Sequence, residues 1–198
     1  MLLSAYRQGV FPWFNEGDPI LWWCPDPRFV IFFDELHVSR SMARTLRRNE
    51  FDLTLDTDFP GVIHACAATP RRGQNGTWIT EDMEVAYRRL HELGHAHSCE
   101  ARIDGRLVGG IYGVALGRVF FGESMFSHVS NASKATLITL CRFLKRCGFL
   151  LMDSQMHTPH VERMGGREIP RDEFLVLVER GVGEGGATGS WRGELRRQ

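Results

Sequence analysis

The sequence predicts an α+β fold, on three observations. Between residues 96 and 122 the pattern changes from helical spacing to strand-like segments joined by tight turns such as Asp104-Gly105. The 198 residues are 43% hydrophobic and 24% charged, which is typical of a globular protein with one large domain or two small ones. Before the strand-like stretch, four apolar residues recur at the spacing of one helix face: Phe59, Val62, Ile63 and Cys66.

The first part of the chain is predicted to alternate short helices and strands. Gly9 is suited to stop a short N-terminal helix, and the Ser39 hydroxyl is suited to cap a second one. Apolar runs on either side of that second helix favour strands. The predicted elements are, in chain order, a helix over 2–8, a strand over 28–33, a helix over 39–49 and a strand over 51–55.

The second part is predicted to contain two helices, a three-strand meander, and then a helix, a strand and a helix. Thr80 can cap the second of these helices and Gly94 can end it, and Gly148 can end the long helix after the meander. The predicted ranges are helices over 59–66 and 80–94, strands over 96–103, 106–114 and 118–122, a helix over 131–147, a strand over 149–155 and a helix over 172–180.

The order of these elements predicts two domains. A boundary near residue 60 would separate a small N-terminal domain, residues 1–60, from a catalytic domain, residues 61–180. The order after the boundary matches the acyltransferase fold known as GNAT. Residues 181–198 are rich in glycine and charge, with little to bury, so we expect a disordered tail.

Composition and cysteine usage indicate a cytoplasmic protein. The longest fully apolar runs are far too short to span a bilayer, and the N-terminus lacks the charge and apolar order of a signal peptide. The five cysteines are an odd number without the spacing of a disulfide framework, which favours reduced thiols.

Three polar side chains stand at the ends of apolar, strand-like runs. Glu123 follows Val119–Gly122, and Asp153 and Gln155 follow Phe149–Met152. A buried carboxylate is costly unless it is paired or functional, and residues two apart on a strand share a face. Together these groups can bind an amine, accept a proton and orient a carbonyl. A purely structural hydrogen-bond network is an equally good interpretation.

A basic helix face is the second candidate site. Arg40, Arg44, Arg47 and Arg48 lie at helical spacing, and no carboxylate within that helix neutralises them. The net charge of the chain is zero, so the local patch rather than the whole protein would attract a nucleic acid. A solvated helix face is the alternative.

Tryptophans form the third candidate site. Trp13, Trp22 and Trp23 are close in sequence, and Trp78 follows a polar, glycine-rich loop. Such rings either fill a core or stack on a base or apolar side chain. Two other patterns are incomplete: His95, His97 and Cys99 lack a fourth zinc ligand, and 180–185 lacks the flanking strand and helix of a coenzyme A loop. We therefore expect no metal site.

Many motifs resemble the bacterial leucyl/phenylalanyl-tRNA–protein transferase family, over roughly residues 2 to 178. They are, in order, Ala5-Tyr-Arg-Gln-Gly-Val-Phe-Pro-Trp-Phe14, Pro19-Ile-Leu-Trp-Trp-Cys-Pro-Asp-Pro-Arg28, His37-Val-Ser-Arg-Ser41, Gly76-Thr-Trp-Ile79, Ala86-Tyr87, Leu90-His-Glu-Leu-Gly-His-Ala-His-Ser98, Leu107-Val-Gly-Gly-Ile-Tyr-Gly-Val114, Gly122-Glu-Ser-Met-Phe-Ser127, Asn131-Ala-Ser-Lys134, Asp153-Ser-Gln155 and Ile169-Pro-Arg171.

The resemblance implies an enzyme with a GNAT-like domain behind a small N-terminal domain. It would move leucine or phenylalanine, and methionine less well, from aminoacyl-tRNA to a protein whose N-terminal residue is Arg or Lys. The product would enter the N-degron degradation pathway. The tRNA ester is already an activated acyl donor, so the resemblance implies no cofactor. We expect a monomer that does not bind membranes.

The resemblance also implies roles for the polar residues. Glu123 is similar to the carboxylate that holds the α-amino group of the donor amino acid. Gln155 and Asp153 resemble the pair assigned to the attacking amine. Gln155 would orient it or help to deprotonate it, while Asp153 would support Gln155 and meet the positive charge of the acceptor.

The apolar and basic residues have family counterparts as well. Trp13 and Trp78 would flank the terminal adenosine, and the arginines at 40, 44, 47 and 48 would bind the tRNA acceptor arm. The implied amino-acid pocket comprises Trp13, Trp78, Ile111, Phe120, Leu137, Leu140 and Met152.

Some features depart from the family. Its members usually carry a longer segment before Ala5, so we expect a truncated N-terminal domain. Ile111 and Leu140 stand where relatives have methionine and phenylalanine, which leaves the donor preference open. Two other functions stay open: a tRNA-binding homologue without activity, and a coenzyme-A-dependent acyltransferase acting on a small amine.

Overall fold

The computed structural model describes residues 1–14, 17–69, 78–184, 186, 189–193 and 195. The loop before Trp78, predicted to be polar and glycine-rich, lies mostly outside these residues. The helices of the described chain are α1 (Leu2–Arg7), α2 (Arg40–Arg47), α3 (Phe59–Ala68), α4 (Glu81–Glu92), α5 (Ala132–Arg146), α6 (Pro159–Glu162) and α7 (Arg171–Gly183). The strands are β1 (Phe11–Pro12), β2 (Trp22–Trp23), β3 (Arg28–Ile31), β4 (Asp52–Leu55), β5 (Ala96–Ile103), β6 (Arg106–Leu116), β7 (Val119–Ser127), β8 (Leu151–Asp153) and β9 (Arg167–Ile169).

Seven of these strands form one sheet in the described chain, in the order β4-β5-β6-β7-β8-β3-β9. Neighbours pair antiparallel except β7 and β8, which are parallel. A parallel pair needs a long crossover connection, and α5 supplies it. The predicted α+β class and the meander β5-β6-β7 are confirmed.

The sheet extends across the predicted boundary near residue 60. Strands β3 and β4 precede that position, yet β3 lies between β8 and β9 and β4 pairs with β5. Any separate N-terminal unit of the described chain therefore excludes β3 and β4. The two-stranded pair β1-β2, by contrast, lies outside the main sheet.

Helices cover both faces of the sheet, which gives two apolar layers. Residues of α5, including Leu137, Leu140 and Leu144, pack with Ile111 and Met152 in one layer. The other layer contains α3 and α4, with Phe59 and Tyr87 among its members. Burial of these two layers supplies most of the driving force for folding. No described helix combines the length and apolar character needed to cross a bilayer.

The described part of the C-terminal segment is ordered, contrary to the predicted disordered tail. Trp191 is 3% exposed, stacks on His97 with ring centroids 3.5 Å apart, and packs against Phe143. Its backbone N–H donates to the buried Asp56 carboxylate at 2.8 Å. One large aromatic residue in a glycine-rich segment is enough to anchor that segment, which average composition does not reveal.

Candidate active site

A cavity of about 500 Å³ opens where β7 and β8 separate. Their pairing stops at Phe121 and Asp153, although β7 continues to Ser127. Residues 122–127 and 154–156 line the cavity together with Ser133 and Leu137 of α5, residues 11–13 and Trp78. The rest of the lining is Thr69, Ile111, Met152, Thr158, His160 and Val161. The split between two strands therefore creates a concave site at the edge of the apolar layers.

Glu123 is the acidic group of this cavity. It is 8% exposed and accepts a hydrogen bond from the Tyr87 hydroxyl at 2.8 Å and one from Gln155 Nε2 at 3.2 Å. Burial raises the pKa of the Glu123 carboxyl from 4.5 to about 7, although the hydrogen bonds of nearby tyrosines oppose the shift. Glu123 is therefore poised to change its charge near neutral pH.

Two buried tyrosines support Glu123. The Tyr87 hydroxyl donates to Glu123, and the hydroxyl oxygens of Tyr6 and Tyr87 lie 2.5 Å apart and share a hydrogen bond. Burial raises the pKa of both phenols well above the ordinary value, so both keep their protons. The sequence analysis counted Tyr87 among the family motifs but gave its hydroxyl no role. The signal it missed is that a buried tyrosine hydroxyl needs a partner.

Gln155 reaches the cavity by an unexpected backbone route. The predicted strand over 149–155 is shorter, and β8 ends at Asp153. Gln155 has φ +64°, a left-handed conformation that costs a non-glycine residue about 1–3 kcal/mol. The expected strand alternation is therefore not what brings Gln155 to Glu123. Because Nε2 donates to Glu123, Gln155 Oε1 is left to accept a hydrogen bond from another donor.

Asp153 is buried behind the cavity rather than in it. Its Oδ1 accepts from Arg28 Nε at 2.8 Å and its Oδ2 from Arg28 Nη2 at 2.6 Å, and both side chains are fully buried. Because Arg28 already pairs with this carboxylate and Asp153 does not line the cavity, the described residues show no route for the predicted contact between Asp153 and the acceptor's charge. Its predicted support of Gln155 has a visible route, since Oδ1 also accepts the Gln155 backbone N–H at 2.8 Å.

Some of the predicted pocket residues line the cavity and others lie behind its wall. Five of them line the cavity, namely Trp13, Trp78, Ile111, Leu137 and Met152. Contrary to the prediction, Phe120 and Leu140 lie off its wall and are fully buried in the layer beside α5. Phe120 precedes the point where β7 leaves β8, and Leu140 lies one helical turn deeper than Leu137.

The basic helix face has the predicted form. Helix α2 begins after Ser39, whose hydroxyl accepts the Met42 N–H, and all four arginines are exposed. None of the four forms an ion pair with a carboxylate of the described chain. The patch does not line the cavity, so any role of α2 concerns another part of the ligand.

Family profiles and curated relatives match nearly the whole chain. The profile described as leucyl/phenylalanyl-tRNA protein transferase matches residues 30–179, and the profile of the N-terminal domain of that family matches residues 1–26. Among curated relatives, the leucyl/phenylalanyl-tRNA–protein transferase of Syntrophus aciditrophicus is 55% identical over 190 residues, covering 96% of this chain and 80% of that protein. The one of Nitrosospira multiformis is 60% identical over 173 residues, covering 87% and 74%.

A solved structure has a similar fold. L-PGS from Bacillus licheniformis superposes with a TM-score of 0.51 at 11% identity, covering 80% of this chain and 65% of that one. With the element order of the sheet, this likeness confirms the predicted α+β class. The family is shown by the two matching profiles and by relatives that are more than 50% identical. The chain belongs to the leucyl/phenylalanyl-tRNA–protein transferases, aminoacyltransferases that move an aminoacyl group from tRNA to a protein.

Proposed function

We propose that this enzyme transfers leucine or phenylalanine, and methionine less well, from aminoacyl-tRNA to proteins that begin with Arg or Lys. The modified proteins would then be degraded through the N-degron pathway. The observation that carries the proposal is the Glu123–Gln155 pair at the polar end of an apolar cavity. We further propose that the enzyme works in the cytoplasm as a monomer of 22.6 kDa, which light scattering can test.

The donor would bind with its side chain against Ile111, Leu137 and Met152, which line the cavity. The donor's α-ammonium group would pair with Glu123. The Glu123 carboxylate also accepts a hydrogen bond from the side-chain amide of Gln155. A cation near Glu123 would favour the ionised carboxylate. Side chains without a branch at Cβ would fit best. One misplaced methyl group changes the binding free energy by only about 1–3 kcal/mol.

In the transfer step, Gln155 Oε1 would orient the acceptor's amine. The acceptor's neutral α-amine would donate one N–H to Gln155 Oε1 and attack the ester carbonyl carbon. A C–N bond forms and the C–O bond to the terminal ribose breaks, and the proton lost by the amine ends on the ribose oxygen. An amide is not basic, so Gln155 would orient the amine rather than deprotonate it. An N-terminal amine has a pKa near 8, so only modest assistance is needed at neutral pH.

A transfer assay tests the proposal. Purified protein is incubated with labelled leucyl-tRNA and a peptide beginning with Arg, and labelled peptide is counted. The matched control is the same peptide with an acetylated N-terminus, which has no free amine. We expect label only on the free peptide. Tight tRNA binding without labelled peptide would favour the inactive tRNA-binding homologue, and acetyl transfer from acetyl-CoA to small amines would favour the coenzyme A alternative.

Helix α2 is proposed to bind the phosphates of the tRNA acceptor arm. The double charge reversal Arg44→Glu/Arg47→Glu should weaken tRNA binding at least about tenfold at low salt. Binding releases fewer counterions from the tRNA when phosphate contacts are lost. The slope of log affinity against log salt should become shallower. Filter binding over a salt series measures both quantities.

The matched control reverses two arginines of α4, Arg88→Glu/Arg89→Glu. In the native protein these side chains are paired with Glu84 and Glu92. An equal loss of tRNA affinity in both variants would show that only overall charge matters, and it would remove α2 from the proposed binding surface.

A further inference from the structure

Arg28 occupies an unusual place for an arginine. It begins β3, is 0% exposed, and its guanidinium lies over the rings of Phe11 and Phe174, at 4.8 and 4.3 Å from their centroids. Two nitrogens donate to the two oxygens of Asp153. A planar guanidinium is the only side chain that can hold a carboxylate through two parallel bonds in this way.

The same carboxylate holds the backbone of Gln155. Asp153 Oδ1 accepts both Arg28 Nε and the Gln155 N–H, each at 2.8 Å. The backbone of Phe29, the residue after Arg28, also bonds to this loop: its N–H donates to Gln155 O at 3.3 Å, and its carbonyl accepts from Ser154 N at 2.9 Å. The left-handed conformation of Gln155 is thus held from one side by Asp153 and from the other by β3.

Arg28 also connects distant parts of the chain. Phe11, over which the guanidinium lies, is itself part of the cavity lining, whereas Phe174 belongs to α7. Movement of Arg28 would therefore change the cavity wall and the Gln155 loop together.

We propose that Arg28 is a positioning residue for the transfer step. By fixing both oxygens of Asp153, it holds the Gln155 backbone so that the side-chain amide meets Glu123 with one end and the acceptor amine with the other. The inference rests on the role proposed for Gln155. Arg28 does not touch the substrate.

The variant Arg28→Lys tests this inference, because it keeps the positive charge but cannot bond to both oxygens in the same plane. We expect the single-turnover rate of leucine transfer to fall about 10- to 100-fold, with the KM for leucyl-tRNA changed less than about twofold. In a Gln155→Ala background the same substitution should change the rate less than about twofold, since Arg28 acts through Gln155.

The control is Arg102→Lys, in a partly exposed pair with Asp58 that is not part of the cavity lining; its rate should equal that of the unaltered protein. An equal loss from Arg28→Lys with and without Gln155 would overturn the inference, as would an unchanged rate. Absence of transfer by the unaltered protein would instead reject the proposed function. If Arg28→Lys does not fold, Arg28→Gln/Asp153→Asn, which leaves no unpaired buried charge, is compared in the same two backgrounds.

Discussion

Replacing Glu123 by glutamine should abolish transfer and make the protein more stable. Glutamine has nearly the same shape, but it cannot pair with the donor's α-ammonium group, so we expect the transfer rate at limiting leucyl-tRNA to fall at least about 100-fold. The stability gain follows from the pKa of the native carboxyl, about 7 against 4.5 for an ordinary glutamate. Folding then opposes ionisation of Glu123.

The sign of the pH dependence is fixed by that raised pKa. Neutral Glu123 makes its full contribution to the free energy of unfolding below pH 4.5. That contribution is lost as the pH rises to about 7, where the carboxyl ionises in the folded protein. Above pH 7 the loss amounts to roughly 3 kcal/mol. Glu123→Gln should therefore raise the free energy of unfolding at pH 8, by up to that amount, and change it little at pH 4.5.

Urea unfolding at the two pH values measures the stability effect, with Glu92→Gln on the exposed face of α4 as the control. The control should change neither transfer nor the pH dependence of stability. A Glu123→Gln protein that transfers leucine normally would remove Glu123 from the site, and one that is destabilised at pH 8 would show that its carboxylate is a favourable structural group.

Replacing Asp153 by alanine should destabilise the protein and also abolish transfer. The substitution leaves the Arg28 guanidinium buried and unpaired, which typically costs about 3–5 kcal/mol. It also removes the acceptor of the Gln155 backbone N–H. Thermal or urea unfolding measures the first effect and the transfer assay the second.

The double variant Arg28→Met/Asp153→Leu separates the two effects. Removing both charges together should recover part of the stability, because two apolar side chains avoid the cost of desolvating a charge. Transfer should stay low, since Gln155 still lacks its anchor. As a control, Glu35→Ala breaks an exposed pair with Arg167 and should cost no more than about 1 kcal/mol. Recovery of transfer in the double variant would contradict the role given to Asp153.

Local sequence patterns predicted the element order well and part of the site. Strand and helix spacing placed the meander, α5 and β8 in the right order, and the cost of burying Glu123 and Asp153 marked them for attention. Helical spacing likewise identified the exposed arginines of α2. These features depend on residues close together in the sequence.

Features that depend on distant residues were missed. Arg28 and Asp153 are 125 positions apart, and no local pattern says that β3 pairs with β8 rather than with its sequence neighbours. The left-handed turn at Gln155 replaces the strand that its sequence favours, because Asp153 and β3 hold it. Trp191 is buried by His97 and Phe143, which lie far earlier in the chain. Tertiary packing overrides local preference at these positions.

In the proposed mechanism, Glu123 holds the donor while Gln155 orients the acceptor. The most direct test uses a stable amide analogue of 3′-leucyl-adenosine. Calorimetry at pH 7.5 measures its affinity for the unaltered protein and for the variants Glu123→Gln and Gln155→Ala. We predict that Glu123→Gln weakens binding about 10- to 100-fold, in line with a lost charge-assisted hydrogen bond, and that Gln155→Ala changes it less than about twofold. Equal losses in both variants, or an unchanged affinity in Glu123→Gln, would contradict the division of roles.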